Sequence, residues 1–379
     1  MNKALEKNLD AALDAAIDQQ RVVGGVVVVL RDGVIAYRRA VGLADRESGT
    51  SMQVDTIFRL ASITKPIASV AAMRLVEAGK LDLAAPITRY LPEFRPKLGD
   101  REPEITVRQL LTHTSGLSYA HMQPKDGPYL KLGISDGMDQ PGLALDEELR
   151  RLVAAGLFSE PGTQWGYSLG IDVVGAAIEK VTGKPLPAAI KELVTGPLDM
   201  VRTTFEAPAD KPLATPYADG TPPVRMGDPQ VVPFFDLSGI RFSPSRTFDP
   251  KSFPSAGAGM NGTADEVARL LELVRSGGGK LLKQETSRAM LTNQTGALPV
   301  VLGPGWGFGF GGAVLLDPRA AQTPESAGTW MWGGVWGHSW FVDPVQRLVV
   351  VGLTNTAIEG MMGRFPTTVR DAVYASLAS

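Results

Sequence analysis

Phe58-Arg-Leu-Ala-Ser62-Ile-Thr-Lys65, running on through Pro66 to Ala78 and Gly79, is the stretch on which the reading of this chain turns. From Ala61 the pattern is helical through Ala78. Pro66 is admissible there only in the first turn, where no backbone donor is lost, and Gly79 supplies the stop. Ser62 and Lys65 stand three residues apart at the start of that helix, so they share a face and the ammonium can reach the hydroxyl. A serine is a weak nucleophile until a neighbour takes its proton. A lysine partly withdrawn from water can be that neighbour. The backbone N–H of Ser62, in the first turn, has no partner within the helix and is free to face a developing oxyanion. S-x-x-K by itself is common, and also describes an ordinary N-cap serine beside a solvated lysine. The surrounding sequence has to decide.

Upstream, Leu5, Leu9, Leu13 and Ile17 recur every four residues among charges, which predicts an amphipathic helix. Val22–Leu30, Arg31-Asp-Gly33 and Val34–Val41 predict a hairpin turning on Asp-Gly. Downstream, Thr106–Leu111 and Asp146–Ala155 read as helices between long Gly/Pro-rich stretches. Ten prolines between Thr204 and Ser255 argue against regular structure there. Thr263-Ala-Asp-Glu266 predicts a capping box opening a helix that ends near Gly277. Alternating segments follow at Trp306–Leu316, Gly328–Asp343 and Arg347–Thr354, the last two joined through Pro344-Val-Gln346, and a final helix covers about Thr367–Leu377. The expected fold class is α/β: an antiparallel sheet with strands from both chain ends, flanked by helices. Residues 1–85 and 255–379 would make this discontinuous domain, with a mainly helical, irregular domain inserted at 86–254.

Composition narrows the chemistry. The 379 residues carry 38 Lys+Arg against 40 Asp+Glu, so no electrostatic footprint for nucleic acid or an anionic membrane is expected. The absence of cysteine excludes disulfides, thiolate metal sites and a cysteine nucleophile. His113, His121 and His338 form no H-x-x-x-H pair, so no metal is expected. The longest apolar run, Val22–Leu30, is far below the roughly 20 residues that span a bilayer. MNKALEKNLD has no apolar segment of the secretory kind. The expectation is a cytoplasmic protein without a cofactor.

Two other motifs compete with Ser62. Gly307-Phe-Gly-Phe-Gly-Gly312 satisfies G-x-G-x-x-G, but the residues after it, Ala313–Leu316, read as strand, where a dinucleotide site needs a helix N-terminus. A glycine-rich strand near a wall of the site is the simpler reading. Gly166-Tyr-Ser168-Leu-Gly170 fits the G-x-S-x-G elbow, which needs a buried strand before it and an acid and a histidine after it. The preceding Glu160–Trp165 is loop-like, and His338 is the one downstream histidine.

Ser62-Ile-Thr-Lys65 is followed in order by Gly79-Lys-Leu-Asp-Leu83, Thr106-Val-Arg-Gln-Leu-Leu-Thr-His-Thr-Ser-Gly-Leu117, Glu160-Pro-Gly-Thr-Gln-Trp-Gly-Tyr167-Ser, Ala256-Gly-Ala-Gly-Met-Asn-Gly-Thr-Ala-Asp265 and Trp332-Gly-Gly-Val-Trp-Gly-His-Ser-Trp340. This succession, over nearly the whole chain, resembles the serine β-lactamase and penicillin-binding-protein superfamily, and within it the family VIII carboxylesterases. The resemblance implies that Ser62 is acylated, that Lys65 and Tyr167 share the general-base and acid work, and that Ser168 is incidental. It also implies that Trp332-Gly333-Gly334 stands where the antibiotic-binding relatives have Lys-Thr-Gly, and that Val335 gives the second oxyanion N–H beside that of Ser62.

The departures bear on substrate. Trp332 removes the cation that helps bind a lactam's carboxylate. Leu169 stands where the relatives' Tyr-x-Asn has an amide, and it forms no hydrogen bond. Both favour a neutral small-molecule ester with a modest acyl group. A β-lactamase, a D-alanyl-D-alanine peptidase or an acyltransferase on the same fold is the alternative, and a non-catalytic binding module a third reading. His113 is expected to be a structural hydrogen-bonder and His338 a packing residue. Trp306, Trp336, Trp340, Phe234 and Phe235 are expected mostly in the core. Oligomeric state is left open by the sequence.

Overall fold

The fold is that of a computed structural model, which describes residues 3–377. Its centre is an eight-stranded antiparallel sheet made of β1 (Gly24–Arg31), β2 (Val34–Asp45), β3 (Thr50–Ser51), β4 (Trp306–Phe308), β5 (Ala313–Leu315), β6 (Trp330–Gly334), β7 (His338–Asp343) and β8 (Leu348–Thr354). The spatial order is β4-β5-β6-β7-β8-β1-β2-β3, so the first strand of the chain pairs with the last. Asp32 and Gly33 turn the β1–β2 hairpin with φ of 56° and 77°, the backbone a tight two-residue turn requires.

The uninterrupted Val26–Val29 run is explained by burial on both faces. Val26 and Val28 point into one apolar layer, with Val349, Val351 and Leu353 of β8. Val27 and Val29 point into the other, with Leu348 and Val350. That second layer is closed by α1 (Lys3–Asp18) through Leu5, Leu9 and Leu13, and by α5 (Arg364–Ala375) through Phe365, Val369 and Val373. The first is closed by α2 (Thr64–Glu77), α3 (Gly170–Thr182) and α4 (Ala264–Arg275). Each such aliphatic side chain is worth about 1.5–3 kcal/mol when fully buried, so the layers hold the sheet and α2 in one register.

Four expectations change in detail. Ser62 lies in a 3-10 turn, Ala61–Ile63, that leads into α2, and Lys65 is in the first turn of α2 itself. Thr263 caps α4 by accepting from the Glu266 N–H, but Glu266 does not reach back. Its carboxylate accepts instead from the Arg202 N–H (2.9 Å) and Thr203 Oγ1 (2.5 Å), so half the box is given up to anchor another loop. The reciprocal box forms at Thr106 and Gln109. The proline-rich stretch does hold regular structure, in short ladders pairing Tyr217–Ala218 with Val224–Arg225 and Gln230–Val232 with Ile240–Phe242. Finally, Phe235 is 70% exposed, whereas Trp336 and Trp340 are buried as expected. No helix among the described residues is long and apolar enough to cross a membrane.

Candidate active site

The residue before the serine fixes its aim. Ala61 is wholly buried at φ 45°, a conformation that costs a non-glycine residue about 1–3 kcal/mol and persists only where packing imposes it. Ala61 packs in one apolar cluster with Val335 and Trp336. The end of β6 presses on the same turn, for a Cβ at Gly334 would lie 2.5 Å from the Leu60 carbonyl oxygen. Glycine at 334 is therefore what lets the strand carrying Trp332, with Val335 just beyond its end, come against Ser62. His338 holds the approach from the other side, its Nε2 2.7 Å from the Arg59 carbonyl oxygen. Burial pushes that imidazole down to about 4, so it is neutral at pH 7 and Nε2 carries the donating proton. The histidine is a buried packing and positioning group.

Two side chains meet at Ser62, which is itself only 7% exposed. Lys65 Nζ lies 3.0 Å from Ser62 Oγ, and the Tyr167 hydroxyl donates to the same oxygen at 2.7 Å. Lys65 is completely buried, which requires partners for its ammonium. Nζ donates to the Gly257 carbonyl at 2.8 Å and sits over the rings of Tyr167 (4.8 Å) and Tyr119 (5.2 Å). Behind it lies the buried carboxyl of Asp172 on α3. This group accepts from Ser255 Oγ (2.6 Å) and from the N–H of Gly257 (3.2 Å), the residue whose carbonyl receives the lysine. Burial raises the Asp172 pKa, with Lys65 among the groups opposing that rise.

Trp332 brings more than an apolar face. Its indole N–H donates to the Tyr167 hydroxyl at 3.0 Å, so the phenol oxygen accepts from tryptophan while giving its own proton to Ser62. Around this pair the rings of Trp165, Phe308 and Trp332 lie within 6.4 Å of one another. Phe308, in the glycine-rich segment, is thus a wall behind Trp332.

Ser168 is placed away from this centre. It is fully buried, and both its N–H and Oγ lie 3.2 Å from His113 Nδ1. Burial and the nearby Lys65 hold the His113 pKa well below its usual value, so the ring is neutral, and it packs against Tyr167 at 4.7 Å. A hydroxyl without solvent access cannot meet an ester. Leu169 is equally buried in the main core, so its side chain faces away from substrate. Gly257, Tyr119 and Asp172 went unassigned in the sequence. The Ala256–Asp265 motif was the signal for Gly257, but it does not say that a backbone carbonyl is the contact. Among the described residues, no group of three or more His, Asp or Glu side chains is placed to hold a metal.

Comparison with known proteins agrees with this arrangement. The Beta-lactamase family model matches residues 9–374. The chain is 52% identical to Esterase EstB of Burkholderia gladioli, over 98% of this chain and 96% of that protein. It is 26% identical to the lovastatin esterase of Penicillium rubens, over 97% and 98% of the two chains. Among solved structures it superposes with TM-score 0.94 on EstCE1, a hydrolase with promiscuous acyltransferase activity, at 45% identity over 98% of this chain and 99% of that one. On sequence motif, sheet topology and these matches together, the chain belongs to the Beta-lactamase family.

Proposed function

We propose that this protein is a serine carboxylesterase that hydrolyses short-chain neutral esters through an acyl-enzyme on Ser62. The observation that carries the reading is the single oxygen, Ser62 Oγ, in hydrogen-bond reach of both Lys65 (3.0 Å) and Tyr167 (2.7 Å). In acylation Oγ bonds to the ester carbonyl carbon while its proton passes to the Lys65–Tyr167 pair, one member of which is deprotonated in the reactive state. The carbonyl oxygen becomes an oxyanion facing the N–H groups of Ser62 and Val335. The bond to the alcohol oxygen breaks, and Tyr167 returns the proton to that leaving group. Water then repeats the sequence on the acyl-enzyme and frees the acid. Trp332-Gly333-Gly334 forms the strand edge along which substrate lies.

Ester rather than lactam is favoured by two side chains. Trp332 offers an N–H to Tyr167 and no cation to a substrate carboxylate, and Leu169, turned into the core, presents no amide to a substrate. The similarity to Esterase EstB supports the same reaction class. The test is p-nitrophenyl butyrate hydrolysis by wild type, Ser62→Ala and Ser168→Ala, together with labelling by a serine-directed phosphonate. Ser62→Ala should lose several orders of magnitude in kcat, Ser168→Ala should remain active, and the label should map to Ser62. A label on Ser168 would sink the proposal.

A further inference from the structure

Unlike His113 and His338, whose packing is described above, His121 stands beside the site with a ring nitrogen still to be accounted for. His121 follows Tyr119 in the 3-10 turn Ala120–Met122, and its side chain is almost wholly enclosed. Its Nδ1 lies 2.7 Å from Asp136 Oδ2. Asp136 is itself held, accepting from the N–H of Ala120 (2.7 Å) and the N–H of His121 (3.1 Å). A carboxylate that accepts on both oxygens leaves Nδ1 as the protonated nitrogen, so in the neutral ring Nε2 presents a lone pair. Nε2 hydrogen-bonds to no described residue, and it is not among the buried atoms left without a partner.

The ring's surroundings say where that lone pair works. It stacks on Tyr119 at 4.8 Å, meets Tyr167 edge-on at 6.5 Å and Phe234 at 5.7 Å. Tyr119 and Tyr167 are the two rings that cover the Lys65 ammonium, so His121 is one ring removed from Ser62. Phe234 leads to Phe235, which stands 70% exposed at φ 48°. The loop bearing both is tied down by Ser238, which donates from Oγ to the Ala120 carbonyl (2.7 Å) and from N to the Gln123 carbonyl (3.0 Å). Trp165, Tyr167, Phe308, Trp332 and Phe234 make the neighbouring walls aromatic. Against them an oriented imidazole acceptor is a device for a substrate's donor group.

We infer that His121, oriented by Asp136, is a specificity-determining residue that accepts a hydrogen bond from a hydroxyl or amide N–H carried by the ester near its scissile carbonyl. The inference rests on the esterase reading of Ser62. His121 touches substrate; Asp136 is a positioning residue that acts through it.

The experiment compares kcat/KM for p-nitrophenyl butyrate with that for its 2-hydroxy and 3-hydroxy analogues, using wild type, His121→Phe, Asp136→Asn and the double variant. Phenylalanine keeps the stack on Tyr119 and removes the acceptor. The double variant guards against misfolding, since it leaves no buried carboxylate without its partner. Wild type should prefer at least one hydroxy ester, and His121→Phe and the double variant should reduce that preference roughly 3- to 10-fold, the worth of one hydrogen bond. Asp136→Asn should reduce it less, through KM more than kcat. A preference within twofold of wild type in all three variants overturns the inference, as do parallel losses on every ester. Ser62→Ala run alongside separates the two readings. If it stays active, the esterase mechanism fails while the His121 ratio remains interpretable. If it is dead and the ratio does not move, this inference fails alone.

Discussion

Replacing Trp332 by phenylalanine tests whether the indole N–H assists the chemistry or merely fills space. The bond to Tyr167 is 3.0 Å long, and in the proposed mechanism the accepting oxygen gains negative charge each time it passes a proton on. A hydrogen bond to a charged group is worth about 1.5–3 kcal/mol, against about 1 for a neutral pair. At 1.36 kcal/mol per factor of ten, its loss should lower kcat/KM roughly 10- to 150-fold. Phenylalanine retains most of the packing against Tyr167 (5.1 Å) and Phe308 (5.3 Å), so unfolding stability should drop by no more than about 1–2 kcal/mol. The assay is p-nitrophenyl butyrate hydrolysis with thermal unfolding of the same samples, set in a double-mutant cycle with Tyr167→Phe. Without the phenol oxygen the indole has nothing to donate to, so Trp332→Phe should cost little more in that background. Losses that multiply independently would refute the coupling, and so would a single-variant change of less than threefold.

Other consequences follow from burial and from the lost cation. Glu148 is buried, accepting only from the Ser135 N–H, and burial pushes its pKa up to about 9. Its folded pKa exceeds the usual carboxylate value, so its contribution to stability is full below about 4.5 and is lost as pH rises through 9. Glu148→Gln, measured by urea unfolding, should gain on the order of 2 kcal/mol at pH 8 and flatten that slope; no gain would show that the acid is hydrated or otherwise compensated. His338 has the opposite sign. Its pKa near 4 lies below the usual histidine value, so stability present above about 6.5 should fall by about 3 kcal/mol between there and pH 4. His338→Gln should remove that component, and an unaltered pH profile would count against the neutral buried ring. With Trp332 in place of a lysine, a chromogenic cephalosporin should be turned over at least a thousandfold more slowly than p-nitrophenyl butyrate by the same preparation. Comparable rates would show that carboxylate recognition persists without that cation.

Much of the arrangement was legible in the chain because it is written locally. The Leu5–Ile17 spacing, the Asp32-Gly33 turn, Pro66 in a first turn and the Ser62–Lys65 pair each depend on neighbours within a few residues, where period and backbone preference act. The order of motifs along the chain carried the family, and with it the pairing of Ser62, Lys65 and Tyr167, which are 105 residues apart at their widest. What stayed hidden depends on groups brought together across the fold. The Gly257 carbonyl that receives Lys65 is a backbone atom, and nothing in a residue's type says where its carbonyl points. Glu266 satisfies the pattern of a capping box and spends its carboxylate on Arg202 and Thr203, because a buried acid bonds whichever donors the packing delivers. Phe235 has the composition of a core residue and stands in solvent. Trp332 reads as an apolar replacement for a lysine, and only its place opposite Tyr167 turns it into a hydrogen-bond donor. The sequence alone determined most of the elements and their order through short-range chemistry, and the succession of its motifs is what nominates Ser62, Lys65 and Tyr167 as the proposed reacting trio. The tertiary structure alone decided which buried polar atoms face one another, because desolvation forces such groups to find partners wherever the chain, folded from both ends into one sheet, has put them.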